Sequence, residues 1–500
     1  MQTNKTWADK LWGSQAKLSV LLIAAAVLLF LCLGCREIWT QEHRWADIVS
    51  GMFYRHDYLH PYLNQTNYYD KPLLSYWLIV LVSFVTKSLT AWTLRLPSAA
   101  AGLLSVFATY SIGKSLKDKS LGLLSGWMLV TTFYFVFWAK TSSADMLNLA
   151  GTLSAIAWYL CKKEQLNFIN YAVFFLILAL TCLCKGLIGA VIPVLVMLPD
   201  LLKNNAWKKH LRWSFVFGLI PAAIVYLLPF WASSHYGSTG YQENGLYLVF
   251  RENVVRYFHP FDHQGPIYTY FIFLPVYLLP WVLFFIPALT SLPSRWNKMS
   301  HASRWTLWTI IIIFVFLTMS GSRRNYYVLP LAPFAIIFTA DWILETAKRG
   351  LWAGRFAVFF FAALFLNYDV LQPLYYAGGG ASHFEPVLSA VLQAKPERDW
   401  SYVMLDPESK VRFYLHLSPD VREYLVKGAR KEQTAATLLQ AWPLLKDHKP
   451  QVIFITRKQY EAELKTLLPD YDVVEAPASW GERVLHIKTT NAPVAFIPHF

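Results

Sequence analysis

Charged and aromatic side chains are concentrated near the amino end of the chain, between Gln41 and Pro72. Arg and Lys side chains bind phosphate, and a carboxylate either takes a proton from an attacking hydroxyl or binds a metal ion. The segment therefore predicts a site for an anionic substrate. Its candidate functional residues are Glu42, Arg44, Asp70 and Lys71. An amphipathic surface helix with solvated charges is the alternative, and we favour it for His43 and Asp47.

Further ionisable residues stand beside long apolar runs, where a membrane protein rarely keeps them without a function. Lys140 and Asp145 flank a short polar turn, and Lys185 interrupts the apolar stretch 168–202. Two later clusters precede prolines, and they comprise Arg256, His259, Asp262, His263, Arg323, Arg324, Asn325, Tyr326 and Tyr327. A single residue of this kind is explained by a helix cap or a snorkelling side chain, but the whole set indicates a site.

The composition indicates that a membrane protein positions these residues. Hydrophobic residues make up 55% of the chain, aromatic residues 17% and charged residues 15%, whereas a soluble domain carries about 25% charged residues. The net charge of +14 comes from short basic clusters between apolar runs. This pattern excludes a nucleic-acid partner and predicts contacts with membrane lipids. The five cysteines lie in or beside apolar runs, so we interpret them as buried structural thiols.

The apolar segments between Leu18 and Leu366 predict about 11–13 transmembrane helices, at about 20 residues for each span. Six Lys/Arg clusters separate these segments, and the positive-inside rule puts the clusters and the amino terminus in the cytoplasm. An even number of crossings between consecutive clusters requires that Leu73–Phe84 does not cross. We therefore expect that segment to pack as a helix at the outer surface.

This topology puts the unusual polar residues and everything after Asn367 on the outer face. From about Ser382 the charge content becomes ordinary, and strand-like runs alternate with helical ones behind a flexible glycine segment, Gly378–Gly380. The predicted strands include Tyr402–Leu405, Val452–Thr456 and Arg483–Ile487. The predicted fold is mainly α, a polytopic membrane helical bundle over residues 1–368 with its first outer loop at 36–95. A small α/β C-terminal domain follows at 369–500.

Six motifs stand in an order that resembles the GT-C membrane glycosyltransferases, in the branch of the protein O-mannosyltransferases and the lipid A aminoarabinose transferase. They are Tyr69–Trp77, Arg95–Ser98, Asp145–Leu147, Lys185–Gly186, Pro280–Trp281 and Tyr326–Pro330. The first is the most specific, because it is similar to the acidic-Lys-Pro-Pro-Leu-x-Tyr-Trp run of that branch. The resemblance covers roughly Thr40 to Pro333.

The resemblance implies an inverting transfer of a sugar from a polyprenyl-phosphate donor. The phosphate-binding residues that it implies are Arg44, Tyr68, Lys71, Lys185 and Tyr327. Asp145 would help to position the reacting groups, and Asp70 and His263 would correspond to the ligands of a divalent metal ion.

One position departs from the family, which usually has an Asp-Glu pair in the first loop where this chain has Gln41-Glu42. Glutamine cannot act as a base. Either Glu42 takes the catalytic role, or the acceptor is a phosphate that needs no deprotonation, or the activity is altered. The departure gives Asp145 more weight as a catalytic residue.

The predicted function is sugar transfer to lipid A, another envelope glycan or a protein, by direct displacement on the periplasmic face of a bacterial inner membrane. A transporter or flippase of lipid-linked intermediates is one alternative, but it predicts charges at mid-bilayer and matching halves. A catalytically altered relative that serves as an assembly partner is the other alternative, and Gln41 suggests it.

Overall fold

The described part of the chain is mostly helical. The computed structural model describes residues 15–39, 41–63, 66–69, 71–236, 245–259, 264–395, 400–424, 451–487 and 489–499. In lipid, every backbone amide and carbonyl must be hydrogen-bonded within the protein, and a continuous helix achieves this along an apolar run. The apolar runs of this sequence accordingly form helices that pack into a bundle.

The helices of the first half are α1 (Gln15–Phe30), α2 (Glu42–Arg55), α3 (Leu74–Thr86), α4 (Ala91–Leu116), α5 (Lys119–Val130), α6 (Phe133–Ala139), α7 (Ala144–Lys162), α8 (Phe168–Lys185), α9 (Ile188–Leu202) and α10 (Trp213–His235). A 3₁₀ segment, Lys203–His210, joins α9 to α10. The side chains that cap the starts of α4, α5, α7 and α8 are those of Thr90, Asp118, Ser143 and Asn167. Each accepts a hydrogen bond from a backbone amide of the first turn, which would otherwise lack a partner.

The helices of the second half are α11 (Gly245–Phe250), α12 (Arg256–Phe258), α13 (Thr269–Tyr277), α14 (Val282–Thr290), α15 (Leu292–Arg295), α16 (His301–Met319), α17 (Ala332–Ile343), α18 (Ala347–Phe365), α19 (Gln372–Tyr376) and α20 (Phe384–Gln393). Two π-helical segments, Arg251–Val255 and Leu366–Leu371, continue α11 and α18. The 3₁₀ segments of this half occupy Trp296–Lys298, Asn325–Leu331, Ala381–His383 and, in the C-terminal part, Lys458–Tyr460.

Six described helical stretches are long and apolar enough to cross a membrane, and eight are if each of two bent pairs counts as one span. The six are Ala91–Leu116, Phe168–Lys185, Trp213–His235, His301–Met319, Asn325–Ile343 and Ala347–Tyr376. Three shorter apolar helices are Lys17–Phe30, Leu74–Thr86 and Ile188–Leu202. The chain is therefore a multi-pass membrane protein, as predicted. The described stretches that meet these criteria number six to eight, fewer than the predicted total of about 11–13 spans.

The predicted first outer loop, residues 36–95, is called the first outer segment below, and it forms a small layer of its own. Helix α2 leads to a two-stranded antiparallel ribbon, β1 (Tyr62–Leu63) and β2 (Thr66–Asn67), which is followed by α3. Helix α3 has 13 residues, which gives it a length of roughly 20 Å against about 30 Å for the hydrocarbon core. This length agrees with the expectation that the segment does not cross the membrane.

The C-terminal part contains the small sheet that the sequence predicts. Its strands are β3 (Ser401–Leu405), β4 (Arg422–Tyr424), β5 (Val452–Arg457), β6 (Tyr471–Glu475) and β7 (Pro493–Pro498), in the spatial order β4-β3-β5-β7-β6. Strands β4, β3 and β5 are parallel, and β7 runs antiparallel to both β5 and β6. Helix α22 (Glu461–Leu467) packs on one face of the sheet, and α20 and α21 (Val411–Tyr414) pack on the other. Helix α23 (Trp480–Val484) packs against α19 instead. The boundary between residues 368 and 369 stays a prediction.

Three predictions from the sequence are wrong. Segment Arg483–Ile487 is not a strand, because a capping box of Ser479 and Glu482 starts helix α23 there. The segment Gly378–Gly380 is closely packed, since a Cβ on Gly379 or Gly380 would overlap the backbone at Ala478 or the Glu37 carboxylate. The cysteines are only partly buried: Cys182 and Cys184 are buried, whereas Cys35 and Cys161 are exposed.

The C-terminal part is attached to the bundle through the residues that follow α1. Glu37 forms an ion pair with Lys410 and accepts a hydrogen bond from the amide of Ser382 at 3.0 Å. The amide of Ile38 donates to the hydroxyl of Tyr414 at 2.9 Å. The sheet therefore rests on the same end of the bundle as the first outer segment.

Candidate active site

A cleft lies where α7 begins and α8 ends, and it encloses about 1100 Å³ of space including its open mouth. Its charged lining residues are Arg44, Lys71, Asp145, Lys185, Glu252, Arg256 and Arg324. Five of these seven side chains are cationic. The cleft therefore has the electrostatic character that an anionic group such as a phosphate requires.

Asp145 is placed in the cleft by the start of helix α7. The hydroxyl of Ser143 accepts a hydrogen bond from the amide of Asp145 at 3.0 Å and donates to its carboxylate at 3.0 Å. A carboxylate in the first turn of a helix is also stabilised by the helix dipole. The side chain keeps 15% exposure, so a reacting group that enters the cleft can reach it.

Lys185 is the last residue of α8 and forms an ion pair with Asp145. Its ammonium group lies 4.9 Å from the centre of the Tyr327 ring. The chain turns immediately afterwards at Gly186, whose φ is +106°. Asn253 fixes this turn by accepting a hydrogen bond from the amide of Leu187 at 2.9 Å. A Cβ on Gly186 would overlap the Asn253 amide oxygen, so only glycine fits.

The first outer segment contributes Arg44 and Lys71 to the same cleft. Arg44 donates a hydrogen bond to the hydroxyl of Tyr68 at 2.9 Å. Tyr68 is not among the described residues that line the cleft, so it adjoins the cleft through Arg44. The structure thus brings together Arg44, Lys71, Asp145, Lys185 and Tyr327, which are far apart in sequence.

Glu42 does not join them. Its side chain is fully buried, and its oxygens accept from the Arg95 guanidinium at 2.8 Å each and from Arg36 at 3.2 Å. The amides of Trp39 and Ser142 donate to it at 2.7 and 2.9 Å. Burial by itself would raise the pKa of this carboxyl, but the charges of Arg95 and Arg36 lower it to about 2.

This environment argues against the catalytic role of Glu42, which stays a prediction. A carboxylate with so low a pKa and with every oxygen already bound is a poor base for an entering hydroxyl. Neither Gln41 nor Glu42 is among the described residues that line the cleft.

The two predicted metal ligands, Asp70 and His263, both lie outside the described residues. Within the described ranges, no group of three or more His, Cys, Asp or Glu side chains is arranged to hold a metal ion. The metal pair stays a prediction.

Three polar residues that line the described cleft were not among the candidates predicted from the sequence: Asn148, Glu252 and Asn253. Asn148 follows Asp145 by three residues on α7, and this spacing puts both on one helix face. Arg256 forms an ion pair with Glu252 at 2.8 Å. No sequence pattern near Asn253 predicts its role, because its hydrogen bond with Leu187 joins positions 66 residues apart.

The amino-acid sequence of this chain is similar to those of known membrane proteins. Residues 70–232 match the model of the family described as dolichyl-phosphate-mannose-protein mannosyltransferase. The undecaprenyl phosphate-alpha-4-amino-4-deoxy-L-arabinose arabinosyl transferase of Shewanella sediminis is 26% identical over 68% of this chain and 63% of its own length. Its counterpart from Pectobacterium carotovorum is 25% identical over 78% of this chain and 73% of its own length. The chain thus aligns with just under two thirds of the Shewanella protein.

Solved structures share the fold. The crystal structure of ArnT from Cupriavidus metallidurans bound to undecaprenyl phosphate superposes with a TM-score of 0.71 at 17% identity, covering 96% of this chain and 98% of that one. The Archaeoglobus fulgidus oligosaccharyltransferase complex with Zn and sulfate gives a TM-score of 0.56 at 13% identity, covering 90% and 69%. These similarities confirm the resemblance that the motif order predicts.

Proposed function

We propose that this chain is a glycosyltransferase that moves a sugar from a polyprenyl-phosphate donor to lipid A, another envelope glycan or a protein. The observation that carries the proposal is the cationic cleft around Asp145, at the ends of helices α7 and α8. The names of the Shewanella and Pectobacterium relatives support a lipid-phosphate sugar donor. Lipid A is the acceptor that the family resemblance favours.

The chemistry is a direct displacement at the anomeric carbon. The acceptor oxygen forms a bond to that carbon while the bond to the donor phosphate oxygen breaks, which inverts the configuration. The phosphate is a good leaving group, so the protein mainly holds its charge and aligns the acceptor. Lys185, Lys71, Arg44 and Arg324 supply cations for the leaving phosphate, and Tyr327 lines the same wall.

Asp145 has two roles in this proposal. In the absence of donor its carboxylate pairs with Lys185 and orients that ammonium group. A bound phosphate competes for Lys185 and leaves the carboxylate beside the reacting carbon, where it takes the proton of an acceptor hydroxyl. An acceptor phosphate would need no base, and Asp145 would then serve only to position Lys185.

A divalent metal ion held by Asp70 and His263 belongs to the same proposal. A carboxylate and an imidazole are donors that first-row transition metals accept. The Archaeoglobus protein of similar fold was crystallised with Zn. A bound ion would neutralise phosphate charge. No step of the mechanism above depends on it.

We also propose the orientation and location of the chain. The amino terminus lies in the cytoplasm, and the cleft, the first outer segment and the C-terminal domain of residues 369–500 face the periplasm from a bacterial inner membrane. The basic clusters at the opposite helix ends support this orientation through the positive-inside rule.

An intact-mass comparison of lipid A and envelope glycans tests the proposal in cells with and without the chain. We expect a species heavier by one sugar that disappears on deletion and returns with the wild-type chain. Lys185→Gln should fail to restore it. Lys395→Gln, which removes a lysine paired with Asp472 on the C-terminal sheet, should restore it fully. Identical masses in all strains would reject lipid A and envelope glycans as acceptors.

A further inference from the structure

An apolar groove lies at the end of helices α7 and α8 that is opposite to the cleft. Residues at the end of α7 and the start of α8 line it, together with part of α9 and the segment before α10. Helix α7 has 19 residues between Ala144 and Lys162, so it is roughly 28 Å long. This length matches the hydrocarbon thickness of a bilayer, about 30 Å. The groove therefore lies at the other membrane surface.

The floor of the groove is apolar. It is formed by Trp158, Leu166, Phe174, Met197, Leu201 and Phe215, and the groove encloses about 880 Å³ including its open mouth. Because the groove lies at the membrane surface, a lipid chain can enter it without crossing water.

The rim of the groove is basic. Lys162 and Lys163 line its edge. Trp207, which is 41% exposed, stands on the neighbouring 3₁₀ segment with the ammonium group of Lys208 5.8 Å from its ring. Tryptophan beside lysine is the pattern of a segment that anchors at the headgroup level of a bilayer.

Acidic residues neutralise only part of the positive charge around the groove. Residues 158–171 and 197–215 contain six Lys or Arg side chains but only two acidic ones. Asp200 is engaged by Lys163 and by the Tyr159 hydroxyl, at 2.9 Å each. Glu164 is largely exposed and lies 3.9 Å from Lys209. The surface around the groove keeps a positive charge.

We propose that this groove binds an anionic diacylphospholipid from the leaflet at the basic end of the bundle. One acyl chain occupies the apolar floor, and the phosphate lies against Lys162 and Lys208. The combination of an apolar floor and a cationic rim fits an amphipathic anion, whereas a small soluble anion would leave the floor uncovered. This lipid is separate from the sugar donor, whose phosphate we place at the opposite end of α7.

Native mass spectrometry of the detergent-purified full chain tests the proposal, with titration by phosphatidylglycerol and by phosphatidylcholine of the same acyl composition. We expect one phosphatidylglycerol to bind at least tenfold more tightly than phosphatidylcholine. Lys162→Gln combined with Lys208→Gln should weaken that binding roughly thirtyfold, at about fivefold for each lysine near an anionic group. The matched control is Lys298→Gln with Lys348→Gln, two exposed lysines away from the groove, and it should bind like the wild type.

A second variant tests the groove itself. Leu166→Trp fills the floor without changing charge, and we expect it to weaken binding of phosphatidylglycerol at least tenfold. Equal affinity of the wild type for both lipids would overturn the proposal. So would loss of binding in the control pair to the same degree as in the Lys162/Lys208 pair. Unchanged binding in Leu166→Trp would also overturn it, because the lipid would then be held by diffuse charge alone.

Discussion

Glu42 and Asp145 are connected through the short loop at residues 140–144. The Glu42 carboxylate accepts a hydrogen bond from the Ser142 amide at 2.9 Å, and the amide of Ser143 donates to the Ser98 hydroxyl at 3.1 Å. Ser143 then caps the helix that begins with Asp145. We infer that Glu42 is a positioning residue, which holds the loop that presents Asp145 without touching substrate.

The buried ion pair of Glu42 predicts an acid-dependent loss of stability. The pKa of this carboxyl is about 2 in the folded chain against an ordinary value of 4.5, so the pair contributes roughly 3 kcal/mol at neutral pH. A lowered pKa means that this contribution is complete above about pH 5 and is lost as the pH falls towards 2. Thermal unfolding in detergent, measured across this range, should show the decline in the wild type.

Glu42→Gln removes the titrating group and leaves Arg95 buried without its counter-charge. We expect it to lower stability at pH 7 by about 3–5 kcal/mol and to flatten the dependence on pH between 5 and 2. Glu475→Gln, which affects an exposed pair with Lys458, should keep both the stability and the slope of the wild type. An unaltered melting temperature in Glu42→Gln would contradict the structural role of this residue.

Among the elements, the turn between α8 and α9 determines where Lys185 points. Gly186 has φ +106° and lies against the Asn253 side chain. Gly186→Ala adds both backbone strain and an overlap with Asn253, so we expect sugar transfer to fall at least tenfold through displacement of Lys185, a change of about 1.4 kcal/mol. A kinetic comparison of purified variants provides the measurement.

Two further variants separate the causes. Gly186→Ala with Asn253→Ala removes the overlap but keeps the strain and loses the hydrogen bond to the Leu187 amide, so it should stay at least tenfold slower than the wild type. Gly378→Ala also introduces alanine at positive φ, +67°, where Arg483 is the nearest neighbour at 3.7 Å. This change lies outside the cleft and should leave transfer unchanged. Full activity in Gly186→Ala would show that the turn does not position Lys185.

Much of the helical framework was predictable from sequence, because long apolar runs in lipid can satisfy their backbone only as helices. Lys185 at the end of α8 and Asp145 at the start of α7 were predictable too, since each interrupts or borders such a run. The helical conformation at Arg483 was not predicted, because the local capping box outweighs the short alternating pattern of Arg483–Ile487. The partnership of Glu42 with Arg95 joins positions 53 residues apart, and no local pattern reveals it.

At the scale of the whole molecule, the cleft and the basic surface lie at opposite ends of the same helices. We expect an impermeant maleimide to label Tyr54→Cys, an exposed site on α2, in cells with a permeabilised outer membrane. Trp296→Cys, exposed beside Arg295 and Lys298, should be labelled only after the inner membrane is opened. Both variants need a background in which the exposed Cys35 and Cys161 are replaced by serine. Labelling of Trp296→Cys before lysis would overturn the proposed orientation.

Transfer from a defined donor by the purified chain tests whether Asp145 acts in sugar transfer. The assay offers a panel of polyprenyl-phosphate sugars with lipid A as the acceptor and follows the product by mass. We predict that one donor is used by the wild type and by Asp472→Asn, a carboxylate on the C-terminal sheet. Asp145→Asn should transfer at least about 100-fold more slowly, as expected when a base or its positioning is lost. Transfer by Asp145→Asn at the wild-type rate would contradict this role of Asp145.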